Sequence, residues 1–296
     1  MRYSIACFIK NFINNIKFLI KYDLKTVKYE MYISSYENVL YAINDSKNKN
    51  KLPLLNILSF QETVELLLKE PKSFCRFGDG EFELINGKSI SFQKYDKRLG
   101  TALQSILESK NKELYIGIND YFHINSGLNM FNKKFYFDKA PAYRKMLLQY
   151  CDRKNLYINA GFNQTYILLE KFNYEEYYKK IKNLFKDREL VIFTGKSVFN
   201  NITYDVFEYA KTKEYIFGPS INAFDKFDNL LTTARKIEKN KTLIFILGPC
   251  SKVLINELTK DGYLAWDIGH LAKDYDAYMN NIPKYDKNII DFFKPD

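Results

Sequence analysis

Seven short apolar runs, rich in β-branched and aromatic residues, recur along the chain at 74–77, 114–118, 156–159, 190–193, 214–217, 243–247 and 264–267. Each has the length of a strand, and helical spacing fills most of the gaps, at 59–68, 99–107, 142–150, 166–185, 204–210, 224–237 and 252–260. The first of these helices opens on the capping-box pattern Ser59-Phe-Gln-Glu62 and is stopped by Pro71. Strands alternating with helices build βαβ units, and such units assemble into a parallel sheet covered on both faces. The expected class is therefore α/β, with a Rossmann-like, mostly parallel sheet flanked by helices. Open sheets of this kind bind ligands beyond the carboxyl ends of their strands. The residues that end each run are thus the first place to look for chemistry.

The run at 74–77 ends in Gly78-Asp79-Gly80-Glu81 and passes into a helical stretch. Glycines on both sides of Asp79 let the backbone turn sharply. Two carboxylates two residues apart at a strand end are well placed to hold a divalent cation through oxygen. The ordinary alternative is a Gly-Asp-Gly turn followed by an acid that favours a helix N-terminus.

Other strand ends offer further candidates. Gly248-Pro249-Cys250-Ser251 joins a strand to a helix, where free N–H groups with Ser251 and Lys252 suit a diphosphate, although Ser251 as a simple helix cap reads equally well. His270 follows the last run in Asp267-Ile-Gly-His270, and a lone histidine is more often structural; His123 is read as structural. Arg76 and Gln93 flank the Asp79 stretch and suit donor or acceptor contacts, with an acid as Arg76's plainer partner. Asn222 is a candidate contact to a donor's base or sugar. Asp274 and Asp276 follow His270, and either a general base or a pair of surface acids fits them. Thr194-Gly-Lys-Ser197 mimics the end of a phosphate-binding loop, but Leu190 occupies the place of the required first glycine, so that motif is rejected.

Residues 1–52 read as a separate N-terminal extension and 53–296 as the main domain. Apolar residues at 5, 8, 9, 12, 13, 16, 19 and 20 share one helical face punctuated by lysines, and 44–51 is a polar run. No uncharged stretch approaches the ~20 residues that span a bilayer. The basic helix suits either a membrane surface or its own domain. Four cysteines without a C-x-x-C pair argue against zinc or disulfides and fit a reducing, cytoplasmic setting. A net charge of +10 suits an anionic partner without choosing between nucleic acid, an anionic membrane and a nucleotide-sugar diphosphate.

Three motifs in order choose among these readings. Arg76-Phe-Gly-Asp-Gly-Glu-Phe82, Pro219-Ser-Ile-Asn-Ala-Phe-Asp225, and Leu247-Gly-Pro-Cys-Ser-Lys-Val-Leu254 followed by Gly262-Tyr-Leu-Ala-Trp-Asp-Ile-Gly-His270 together resemble the bacterial glycosyltransferases of GT-D type, a family first catalogued as a domain of unknown function. The resemblance covers roughly 57–280. It implies a hexosyl-type transfer from a nucleotide sugar, UDP-linked for preference, to a hydroxyl of a glycan, glycolipid or glycoprotein, with no nucleic acid involved. It implies that Asp79 and Glu81 hold Mn²⁺ or Mg²⁺, and that His270, Asp274 and Asp276 complete the catalytic set. Gly78, Arg76, Gln93, Asn222, Gly248, Pro249, Ser251 and Asp267 would face substrate. The chain departs from the family at Thr194–Asp205, where Gly195, Ser197 and Asp205 survive but a Glu, an Arg and later glycines do not. It departs again at Asn163-Gln-Thr-Tyr166 and at Ala272. A catalytically degenerate nucleotide-sugar-binding relative is the first rival reading, and a basic nucleic-acid-binding domain without any recognised signature is the second.

Overall fold

The computed structural model describes residues 13, 16, 17, 55–122 and 127–294. His123, the boundary at 52/53 and nearly all of the N-terminal helix lie outside the described residues. Eight strands form one sheet: β1 Asn56–Ile57, β2 Ser73–Phe77, β3 Leu114–Ile118, β4 Leu156–Asn159, β5 Glu189–Gly195, β6 Thr212–Gly218, β7 Thr242–Ile246 and β8 Leu264–Asp267. Their spatial order is β1-β4-β3-β2-β8-β7-β5-β6, and every pairing is parallel. After β2 the chain steps outward through β3 and β4, then crosses to build the other half and returns inward to β8. The innermost strands of the two halves, β2 and β8, thus meet in the middle at Phe74 and Trp266, and β1 adds to the outer edge beside β4. A crevice opens at the carboxyl ends of strands where the winding reverses in this way.

The strands carry apolar residues on both faces, as a doubly covered parallel sheet requires. Alternate residues divide between two cores: Cys75, Phe77, Val191, Phe193, Leu243 and Phe245 point to one side. Phe74, Leu190, Ile192, Ile244 and Trp266 point to the other. Helices α1 Phe60–Lys69, α2 Asp79–Ile85, α3 Lys97–Leu107, α4 Met130–Tyr150, α5 Thr165–Leu168, α6 Tyr174–Leu184, α7 Phe227–Ala234, α8 Cys250–Lys260, α9 Leu271–Met279 and α10 Asp286–Phe292 cover these faces. The capping box at Ser59 forms as expected, with Ser59 Oγ accepting from Glu62 N–H and Glu62 accepting from Ser59 N–H. No helix among the described residues is long and apolar enough to cross a membrane.

Two helical expectations are corrected. Residues 204–210 run through turns, because Asp205 accepts the Phe207 N–H and Asp276 accepts the N–H groups of Thr203 and Tyr204. Side-chain acceptors of this kind compete with the helical ladder. The stretch 166–185 is two helices, since Leu169 leaves the helix to bridge Leu128, with Asn129 N–H donating to Leu168 and Glu170 N–H to Gly127.

Candidate active site

A cavity of about 1070 Å³ opens at the carboxyl ends of the strands. Its polar end is lined by Arg76 of β2, Gly78 and the first turn of α2 with Asp79 and Glu81, Gly248 and Pro249 between β7 and α8, Lys252 of α8, Asp267 at the end of β8 and His270 beyond it.

Glu81 lies at the third position of α2 and is 7% exposed. One carboxylate oxygen accepts the Gly78 N–H at 2.9 Å and the other meets Lys252 Nζ at 3.0 Å. Lys252 also meets Asp267 Oδ2 at 3.0 Å and donates to the Gly248 carbonyl at 3.2 Å, so its three donors are all engaged. Burial disfavours this ammonium, but Asp267 and Glu81 outweigh it and hold its pKa above the usual value. Asp267 is buried too; Arg76 and Lys252 overcome that burial and hold its carboxyl below the usual range.

Arg76 is a strut across the sheet. Its backbone N–H donates to Asp267 Oδ2 and its Nε to the Asp267 carbonyl, while Nη1 donates to Ala160 O and Asn163 Oδ1 and Nη2 reaches Asp267 Oδ1. The close approach explains Gly269, whose φ is +45° and where a Cβ would run into the guanidinium.

Asp79 is different. It is the first residue of α2, and among the described residues no cation pairs with it. Surrounding protein and the neighbouring Glu81 raise its pKa, against its own and Gly80's N–H groups. Its side chain nonetheless faces the open cavity. Of these five charges, Arg76 and Lys252 neutralise Glu81 and Asp267, which leaves the negative charge of Asp79 uncompensated. An acid held in that state suits a cation. No three His, Cys, Asp or Glu side chains cluster to cage a metal among the described residues. The donor set therefore fits a cation that takes one carboxylate and draws its other ligands from phosphates and water, as Mg²⁺ does.

His270 caps α9 and is packed by the rings of Phe92, Phe292 and Phe293, with centroids at 6.1, 5.4 and 5.8 Å. Burial, then the nearby cations, push its pKa down to about 3. It is a neutral imidazole at physiological pH, able to donate one N–H rather than to act as a standing cation. The ring signals of His270, assigned by comparison with His270→Gln, should show no titration by NMR between pH 8 and pH 5. A shift centred near 6.5 would contradict the packing.

Five sequence candidates lie outside the cavity lining. Gln93 accepts the Phe224 N–H, and Asn222, at φ +56°, accepts the Lys94 N–H. Both stitch the 90–94 segment to the 218–224 segment and so build the wall behind Phe92. Ser251 is no helix cap: its Oγ accepts the Leu247 N–H from inside the first turn of α8. Asp276 holds the 203–204 backbone. Asp274 is fully buried and accepts the N–H groups of Tyr166 and Ile167 and the hydroxyl of Tyr178, so it caps α5 and faces no substrate. Neither acid is placed to be a general base. Sequence reasoning passed over Asn119, Asp120 and Asn159, which line the cavity at the ends of β3 and β4; their strand-end position was the available signal.

Burial raises the Asp274 pKa to about 7 despite its hydrogen bonds. A carboxyl whose folded pKa exceeds its unfolded value contributes stability that is fully present at low pH and lost as pH rises through the folded value. Asp274→Asn should therefore flatten the decline in stability between about pH 4 and pH 7. Denaturant melts across that range would test this; parallel curves for variant and wild type would contradict it.

A family model described as the glycosyltransferase GT-D fold matches residues 74–289, and the chain belongs to that family. Its similarity to curated proteins includes a probable glycosyl transferase Gly of Streptococcus gordonii, 31% identical over 230 residues that make up 76% of this chain and 33% of that protein. Glycosyltransferase GlyD of Streptococcus pneumoniae serotype 4 is 26% identical over 227 residues, 76% of this chain and 28% of that protein. The chain thus spans about a third of the length of these relatives. Among solved structures, a domain of unknown function 1792 described as having a distinct glycosyltransferase fold superposes with a TM-score of 0.74 at 31% identity, covering 79% of this chain and 84% of that one. A glycosyltransferase of the same domain type from Streptococcus sanguinis gives 0.74 at 28% identity, covering 78% and 87%.

Proposed function

We propose that this chain is a metal-dependent glycosyltransferase that moves a sugar from a nucleotide sugar, UDP-linked for preference, to a hydroxyl of a glycan or glycoprotein. The observation that carries the reading is the uncompensated Asp79 carboxylate, facing the same cavity as the Gly248 turn and the neutral His270. In the transfer, the bond from the anomeric carbon to the diphosphate oxygen breaks, a bond to the acceptor oxygen forms, and the acceptor hydroxyl's proton leaves on the released diphosphate. Asp79 would hold Mn²⁺ or Mg²⁺, which supplies Lewis-acid stabilisation of the departing diphosphate. Glu81 serves as a positioning residue: tied to Gly78 and Lys252, it fixes the turn that presents Asp79. Gly248, at φ +55° and with no side chain of its own, would let the backbone approach a phosphate closely. His270 would donate its one N–H to a phosphate oxygen.

A nucleotide-sugar panel scored for nucleotide release tests this reading. We expect one donor to be turned over with Mn²⁺ and to fall to background with EDTA. A panel in which no donor binds or turns over would overturn it; binding without turnover would point to the degenerate-relative reading.

A further inference from the structure

The cavity has a second wall that the donor chemistry does not use. Leu128 and the first two turns of α4 present Phe131, Phe135 and Tyr136 to it, spaced so that one helical face lines the space. All three rings are half-buried. At one end Tyr136 packs on Tyr121, whose hydroxyl accepts from Asn119, with ring centroids 6.1 Å apart. At the other end Phe131 and Phe293 pack on the small core of Ile167, Ile289 and Phe292, and Phe293 touches His270.

Amides line the same cavity. Gln164 is one of them, and among the described residues its side chain makes no hydrogen bond. Asn159 spends only its oxygen, accepting the Gly161 N–H at 3.0 Å, so its NH₂ group remains for the cavity.

We propose that this wall is the acceptor subsite and that its occupant is a pyranose ring of a saccharide. The proposal rests on the glycosyltransferase reading above. An acceptor hydroxyl must reach the donor's anomeric carbon, so its seat has to open onto the cavity that holds the diphosphate. A pyranose presents a C–H face, which an aromatic ring covers, and an edge of hydroxyls, which demand partners. Rings beside free amides match both demands. A polyprenyl chain would match the rings but cover both amides, buried Asn159 and half-buried Gln164, without pairing them, which costs binding.

Saturation-transfer NMR on the full chain tests this, using methyl β-glucoside and methyl β-N-acetylglucosaminide as probes, each with and without UDP and Mn²⁺. Octyl β-glucoside below its micellar concentration serves as the lipid-like comparison. We expect transfer to the ring C–H protons of a methyl glycoside. That signal should be lost in Phe131→Ala/Phe135→Ala and weakened in Gln164→Leu, which keeps the bulk and removes the amide. In a transfer assay the same variants should raise the saccharide KM at least tenfold, with a smaller change in kcat and unchanged affinity for the nucleotide. Absence of a methyl-glycoside signal from wild type, retention of that signal in both variants, or transfer confined to the octyl chain would overturn the proposal. Because the NMR arms without nucleotide read saccharide binding alone, loss of the subsite is distinguished from failure of the donor reading, which shows as absent nucleotide binding.

Discussion

Asp79→Asn is expected to lower metal-dependent sugar transfer on the order of a hundred- to a thousandfold while leaving the fold intact or slightly firmer. The activity loss follows from removing the uncompensated carboxylate at the polar end of the cavity; deleting one preorganised electrostatic contact to a transition state typically costs this much. The stability side follows from the same isolation. Among the described residues Asp79 has no ion pair to lose, and the surrounding protein with the neighbouring Glu81 raises its pKa, against its charged form. Amide replacement keeps the size and removes that penalty. Steady-state turnover with Mn²⁺, beside a thermal melt, checks both halves. Loss of activity accompanied by a large drop in melting temperature would mean that Asp79 is structural.

Lys252→Met should cost stability instead, roughly 3–5 kcal/mol, because it leaves the buried Glu81 carboxylate without a cation and Asp267 with Arg76 alone. Lys252, Glu81 and Asp267 have side chains only 5%, 10% and 2% exposed, so solvent cannot replace the ammonium. For a domain of this size the loss corresponds to a fall of roughly 6–20 °C in melting temperature. Glu81→Gln in the same chain should recover part of it, because one stranded charge is then gone. A double-mutant cycle by urea melts measures the coupling. Additive effects would show that Lys252 and Glu81 do not depend on each other, and the presentation of Asp79 would need another cause.

Much of the architecture was legible because it depends on local pattern. The strands at 114–118, 156–159 and 264–267 fall where their apolar runs do, since a strand buried on both faces must be apolar throughout. The Asp79 turn was legible because glycines flank it at a strand end. What could not be read is which partner each polar side chain takes. Gln93, Asn222, Ser251, Asp274 and Asp276 all carry side chains suited to substrate, yet each satisfies backbone N–H groups, several of them over a hundred residues away in sequence. Buried N–H groups need acceptors whatever a site requires. Glu81 shows the same limit. Its spacing from Asp79 suggested a shared cation, while Lys252, 171 positions further along, holds it instead. The aromatic wall was hidden because α4 begins twelve residues earlier than its strongest helical signal, at Met130 behind the Asn129 cap.

Isothermal titration of Mn²⁺ with UDP into wild type and Asp79→Asn tests the central claim most directly. Wild type should bind the nucleotide at least tenfold more tightly with the metal than without it, and Asp79→Asn should lose that enhancement while retaining the metal-free affinity. Equal metal enhancement in both proteins would contradict the assignment of Asp79 as the residue that holds the cation.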